Sequence, residues 1–399
     1  MRLKAPAAVS LAVVIVGATA MSASAAGNPF VWDDGGANFN FSTMGNWSTD
    51  VVPGTDDNLS FPIGNDAFSD ISIPFVVRNL TFTAPNDFAL GGNAITLNEH
   101  IAVDLGAGDF TTTISAPVTL ANTNAESSVA EGDTLQFTNQ LAIQNNYNIT
   151  GDGTTRLSGP LAGAGTVVKN DLGSLAITGV GNLSGLTING GFVHSASLVP
   201  DADVTLTAGT LSGGTLANGG GLIQRLGGFT ATGGIVSPGT DFPGFDSAYL
   251  FFSGTFVGDP ALDYYVDVDG TNVDRIVSAG VFDASDTILS FFVTGAPVVG
   301  TVLTVAEATD IIDNSFFTAP GYGQLTEGEV FQSGANYYRI SYKTTTIEVT
   351  FLGDTAPVTP AELAATGTDV RLAIALGGFA LLLGAVTVAA VRRRERALS

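Results

Sequence analysis

Gly163-Ala-Gly165-Thr-Val-Val-Lys169-Asn-Asp-Leu-Gly173-Ser-Leu175-Ala-Ile177-Thr-Gly179, continued by Leu183-Ser-Gly185-Leu-Thr-Ile188-Asn-Gly190-Gly191, decides the fold. Apolar residues alternate with polar ones over three to five positions. Glycine or asparagine then interrupts, and the pattern resumes. Alternation of period two is the signature of a strand with one buried face. Glycine and asparagine at fixed breaks supply the positive-φ corners that let a chain turn back on itself.

The same rhythm extends in both directions. Upstream come Leu80-Thr-Phe82, Ile95-Thr-Leu97, Ile101-Ala-Val103, Val118-Thr-Leu120, Leu135-Gln-Phe137 and Leu141-Ala-Ile143. Downstream come Val204-Thr-Leu206 and Leu216. The runs recur about every 10 or 20 residues, with almost no helical period. Short strands at such spacing imply a sandwich, a barrel or a solenoid. Glycine and asparagine punctuation favours the solenoid, in which each coil stacks its strands on the coil before.

The quoted segment resembles the autotransporter-associated β-strand repeat, G-x-G-x-x-x-K-x-G-x-G-x-L-x-L-x-G. Ala208-Gly209-Thr-Leu211-Ser-Gly213-Gly214, Val236-Ser-Pro-Gly239-Thr240 and Val273-Asp274-Arg275-Ile276-Val277 are similar to passenger regions of that family. The resemblance implies an all-β chain built on a parallel, right-handed β-helix. It covers residues 80–280 loosely and 163–244 best. The chain departs from the family in carrying one clear copy of the repeat, with no outer-membrane barrel after it.

Both tryptophans fall early, in Phe30-Val-Trp32 and Asn46-Trp47-Ser48. A solenoid must seal the apolar ladder at its first coil, so these aromatics read as an N-terminal cap. Sugar stacking is the alternative use of such rings. After Phe245 the strands lengthen and aromatics increase: Tyr249–Phe252, Tyr264–Val268, Ile288–Val293 and Tyr337–Tyr342. This predicts an antiparallel continuation of the solenoid, or a small sandwich that closes its other end.

The two ends read as export signals. Arg2 and Lys4 precede an apolar run, and Ala23-Ser24-Ala25 gives a small-residue cleavage site before Ala26. At the other end, Leu372–Val391 is uncharged and long enough to cross a bilayer at about 20 residues. Arg392, Arg393, Arg394 and Arg396 follow it and favour the cytoplasmic side. Leu363-Ala364-Ala365-Thr366-Gly367 stands just before the span. That order resembles a sortase sorting signal of the LAxTG kind found on actinobacterial surface proteins. The resemblance implies cleavage between Thr366 and Gly367 and transfer of Thr366 to a cell-wall precursor, with sortase and that precursor as partners. A permanently membrane-anchored protein is the alternative.

The expected organisation is therefore a signal peptide over 1–25, a cap over 26–60 and a β-solenoid over 61–245. A C-terminal β region follows over 246–352. A linker with the LAATG motif spans 353–371, a transmembrane helix 372–391 and a basic tail 392–399.

Charge and chemistry narrow the function. Seven of the 14 Lys and Arg and 35 of the 37 Asp and Glu lie between the two end signals, leaving that body at −28. Such a surface repels nucleic acid and anionic lipid. The chain has no cysteine, hence neither disulfides nor thiolate metal ligands. Asp267, Asp269, Asn272 and Asp274 have the oxygen density of a calcium loop, but not EF-hand spacing. A plain strand–turn–strand explains them as well. His100 and His194 are far apart in sequence, and His194 reads as solvent-facing. No nucleophile elbow or phosphate loop is present. The expectation is a non-enzymatic, cofactor-free surface protein, structural or adhesin-like, with a glycan or environmental surface as ligand. A polysaccharide-binding or polysaccharide-cleaving β-helix is the second reading.

Overall fold

The computed structural model describes residues 27–357, apart from 65, 73–74, 196–201, 214, 217–225, 239–247, 285 and 314. The signal-peptide site at Ala25 and Ala26, the LAATG motif, the span 372–391 and the basic tail lie outside the described residues. Among the described residues, no helix is long and apolar enough to cross a membrane.

Over the described residues the chain is all-β, a parallel β-solenoid of about nine turns. A middle coil shows why the sequence folds this way. Leu141–Ile143, Asn146–Thr150 and Thr154–Leu157 form its three strands. Each stacks in parallel on the equivalent strand of the coil before and the coil after. Thr134, Thr154 and Ser174 share one register column, so these coils take 20 residues each. Further on, coils shorten to 18 residues, as between Ser174 and Phe192 and between Phe192 and Thr210. In Thr154–Leu157 the alternate residues Thr155 and Leu157 are buried, as the period-two pattern requires.

The corners need glycine because successive coils come close there. A Cβ on Gly179 would lie 1.8 Å from the carbonyl oxygen of Gly159 one coil earlier. Gly163, at φ +100°, would meet the Ile143 carbonyl oxygen at 2.1 Å. These two positions belong to the stretch that decided the fold.

The core is one continuous apolar column. At the N-terminal end Trp32 and Trp47 are fully buried, their rings edge to face at 5.1 Å. Trp47 Nε1 donates to the Phe41 carbonyl at 2.9 Å. The side-chain amide of Asn46 binds three backbone groups, those of Gly36, Asn38 and Asn40. The tryptophans therefore close the first coil from inside and leave no face for a sugar.

Parallel pairing does not stop near 246. Leu262–Asp269 pairs in parallel with Ile288–Gly295, and Arg275–Asp283 with Val302–Ile311. Of the aromatics in those longer strands, Phe252, Tyr264, Phe291 and Tyr338 are buried in the core. Phe229, Phe256 and Phe282 stack through three coils with ring centroids 4.6 Å apart. The antiparallel end is shorter than expected. In it Val302–Ile311 pairs with Thr346–Gly353, which pairs with Asn336–Tyr342.

Candidate functional site

Period two sends half of every strand to the outer faces, where side chains line up coil over coil. On one such column Asn79, His100 and Glu126 are direct neighbours. Next to it stand Ser128 and Thr150. His100 Nε2 lies 3.0 Å from Ser128 Oγ. Thr150 Oγ1 donates to Glu126 Oε1 at 3.0 Å. Burial lowers the His100 imidazole below its usual range, and the Glu126 charge offsets part of that.

Serine, histidine and glutamate are the residue types of nucleophilic catalysis. A nucleophile of that kind requires N–H donors aimed at a developing oxyanion. Here the backbone belongs to three adjacent parallel strands, Ile95–Val103, Asn124–Val129 and Asn146–Thr150, whose N–H groups are committed to the sheet. The arrangement has the chemistry of a polar ladder: hydroxyl, imidazole and carboxylate satisfy one another between coils.

A second polar group guards the first coils. Asp56, at φ +69°, accepts from Arg78 and, at 3.0 Å, from Asn98. The Arg78 guanidinium, then Asn98, hold the Asp56 carboxyl below the usual carboxylate range. The group ties three successive coils together.

The calcium candidates resolve into a hairpin. Asn272–Val273 folds back on Leu262–Asp269, with Asp269 opposite Asn272 and Gly270 at φ +62°. Asp267 and Asp274 are buried, and Asp274 Oδ2 accepts from the Asp267 backbone N–H at 3.1 Å. The two residues are bonded to each other's backbone in a closed turn. Among the described residues, no three His, Cys, Asp or Glu side chains are grouped to hold a metal ion.

His194 lies half-buried on an outer face, Nδ1 3.3 Å from Ser212 Oγ in the next coil. Lys169 breaks the apolar inward alternation. It occupies an inward position between Ile149 and Ile188 and is 1 % exposed. Its amine reaches the corner and donates to the carbonyls of Asn170 and, at 3.2 Å, Asp171. Burial lowers its pKa, against the pull of Asp171 and Asp152. Lys169 is thus a corner clamp, holding the turn where Asp171 takes φ +55°.

No protein-family model matches the chain, and no curated protein matches it. The likenesses to the β-strand repeat and to a sorting signal rest on the residues quoted above.

Proposed function

We propose that the chain is a surface-displayed β-solenoid, an adhesive or structural rod joined to the cell wall through Thr366. The observation that carries the reading is the solenoid itself. Its core is continuous from a sealed first coil to an antiparallel end, and its outer faces carry polar ladders such as Asn79, His100 and Glu126. Such a body offers long, rigid faces to a partner. Parallel pairing that persists to Ile311 makes the rod longer than the repeat-like region alone.

Attachment follows from the LAATG order in front of an uncharged 20-residue run and arginines. A sortase thiolate attacks the Thr366 carbonyl carbon and the Thr366–Gly367 bond breaks. The amine of Gly367 leaves protonated. An amine of the wall precursor then displaces the thiolate and forms the new amide. The apolar run holds the substrate in the plane of the enzyme, which raises its effective concentration.

Cell fractionation of wild type and Thr366→Ala tests the reading. Wild type is expected in the wall fraction, released by muralytic digestion. Thr366→Ala is expected to shift to the membrane fraction. Equal partition of the two proteins would overturn sortase attachment.

A further inference from the structure

On the opposite sheet, near the capped end, one hollow breaks the polar ladder. Asp66–Ser69, Phe88–Gly92 and Thr111–Ile114 lie side by side in parallel. Their outward residues form a column in which Ala89 sits between Asp66 and Thr113. Ala89 is the floor, because its methyl group is far shorter than its neighbours. The walls are two strand spacings apart, about 9.5 Å. The hollow has a volume of about 600 Å³.

Beyond one end of the hollow, outside its lining, stands an exposed aromatic: Phe68 is 48 % exposed and lies two residues from Asp66 on the same outward face, about 6.6 Å along the strand. Its ring leans over Gly91, where a Cβ would come within 3.3 Å of Phe68 Cδ2. Glycine at that position lets the ring lie down on the sheet. The other end is the coil corner, and it is fixed in place. Asp87 Oδ1 accepts from the Thr111 N–H at 2.8 Å, and Asn86 Nδ2 donates to the Gly64 carbonyl at 3.0 Å. Carboxylates from Asp66 and Asp87 line the hollow, and no lysine or arginine does.

The geometry points to a glycan-binding subsite in this hollow, for a pyranose chain without acid groups. An exposed ring beside carboxylate, amide and hydroxyl groups matches sugar chemistry: the ring covers C–H faces while the polar groups take hydroxyls or an amino-sugar ammonium. The width admits one extended sugar chain. An α-helix, 10–12 Å across with its side chains, does not fit between the walls. Two carboxylates with no basic partner, on a chain of net charge −23, repel uronates. This deepens the adhesive reading by naming its ligand class.

The test uses the purified full chain in detergent, with laminarin, a chitosan hexasaccharide and polygalacturonate as probes, at low and moderate salt. Retention by laminarin or chitosan that survives moderate salt is expected, with none on polygalacturonate. Phe68→Ala removes the ring, and Ala89→Gln fills the floor from an outward position. Each is expected to weaken binding at least tenfold while thermal midpoint and circular dichroism stay unchanged. No retention on either sugar overturns the assignment. So does equal retention on polygalacturonate, or binding that Phe68→Ala and Ala89→Gln leave intact. Should one variant misfold, the other decides. Fractionation of Thr366→Ala reports attachment alone, so failure of one proposal leaves the other standing.

Discussion

Replacing Lys169 separates two contributions that the corner clamp combines. Its stem fills the apolar column between Ile149 and Ile188, and its amine binds the carbonyls of Asn170 and Asp171. Lys169→Ala removes three buried carbon positions and the amine. Lys169→Met removes the amine and keeps a stem of similar length. The amine's contribution is therefore common to both variants, and their difference isolates the stem. At about 0.8 kcal/mol per buried methylene, that difference is about 2.4 kcal/mol, or about fiftyfold in an opening constant. The amine loses charge-assisted bonds worth about 1.5–3 kcal/mol, offset by ending the cost of burying an ammonium. Lys169→Met should accordingly lie within about 2 kcal/mol of wild type. Coils of a solenoid open locally, so a global midpoint is the wrong observable. Hydrogen exchange of peptides spanning 146–195 reads the right one. The pH dependence adds a check. The folded amine titrates below its unfolded value, so its burial cost is fully present at neutral pH. As pH rises from the folded value toward about 10.5, the folded amine loses its proton first. Wild type then gains stability relative to Lys169→Met. If the alanine and methionine variants exchange equally fast, the packed stem contributes nothing and the reasoning fails.

Three further outcomes follow from the coil geometry. Phe256→Ala opens the middle of a three-ring stack and should cost about 3–5 kcal/mol, whereas Phe256→Leu should cost much less; hydrogen exchange of peptides spanning 249–283 measures both. Gly179→Ala places a methyl 1.8 Å from a carbonyl oxygen, so the chain should refold poorly or lose protection around 157–181, while outward Ala176→Ser should have no effect on hydrogen exchange. The depressed pKa of His100 means that the unfolded chain takes up a proton first as pH falls below about 6.5. Wild type should therefore lose more stability than His100→Gln between pH 7.5 and pH 5; the opposite order would show that folding favours the imidazolium.

Much of the solenoid was legible in the sequence because alternation and corner glycines are local signals. Leu135-Gln-Phe137 and Leu175-Ala-Ile177 face inward as their pattern demands. Trp32 and Trp47 were readable as a cap because an end coil has to hide its ladder. Four features were not readable. Strands near Tyr264 and Ile288 looked antiparallel because long aromatic strands fit either pairing; only the register shows Phe256 and Phe282 as rungs of one stack. Lys169 breaks the binary pattern, and the corner carbonyls that justify it become visible only once the coil is folded. The meeting of His100 with Ser128, 28 residues away, depends on coil length. Coil length changes from 26 residues at His100 and Glu126 to 20 and then 18 along the rod, so no fixed period predicts which side chains become neighbours. The hollow at Ala89 was hidden for the same reason: its walls come from the coils on either side.

The division between inner and outer columns explains why function is expected on a face. Inward, the column Leu80, Ile101, Ser127, Ile149, Lys169 and Ile188 has two polar breaks, and each is answered by a hydrogen bond. Tyr147 donates to Ser127 Oγ at 2.9 Å in the dry interior, and Lys169 reaches its corner. A buried polar group without such a partner costs about 1–3 kcal/mol, so the inner columns admit few changes. Outward, the neighbouring column runs Asn79, His100, Glu126, Asn148, Val168 and Thr187, with no chemical theme. Substitutions there leave the coil intact, because backbone pairing and inner packing already specify it. A recognition site can therefore arise by changing outward residues on two or three adjacent coils. Asp66, Phe68, Ala89 and Thr113 satisfy that condition: all four point outward, and the core beneath them at Ala67, Leu90 and Ile114 is untouched by their identity.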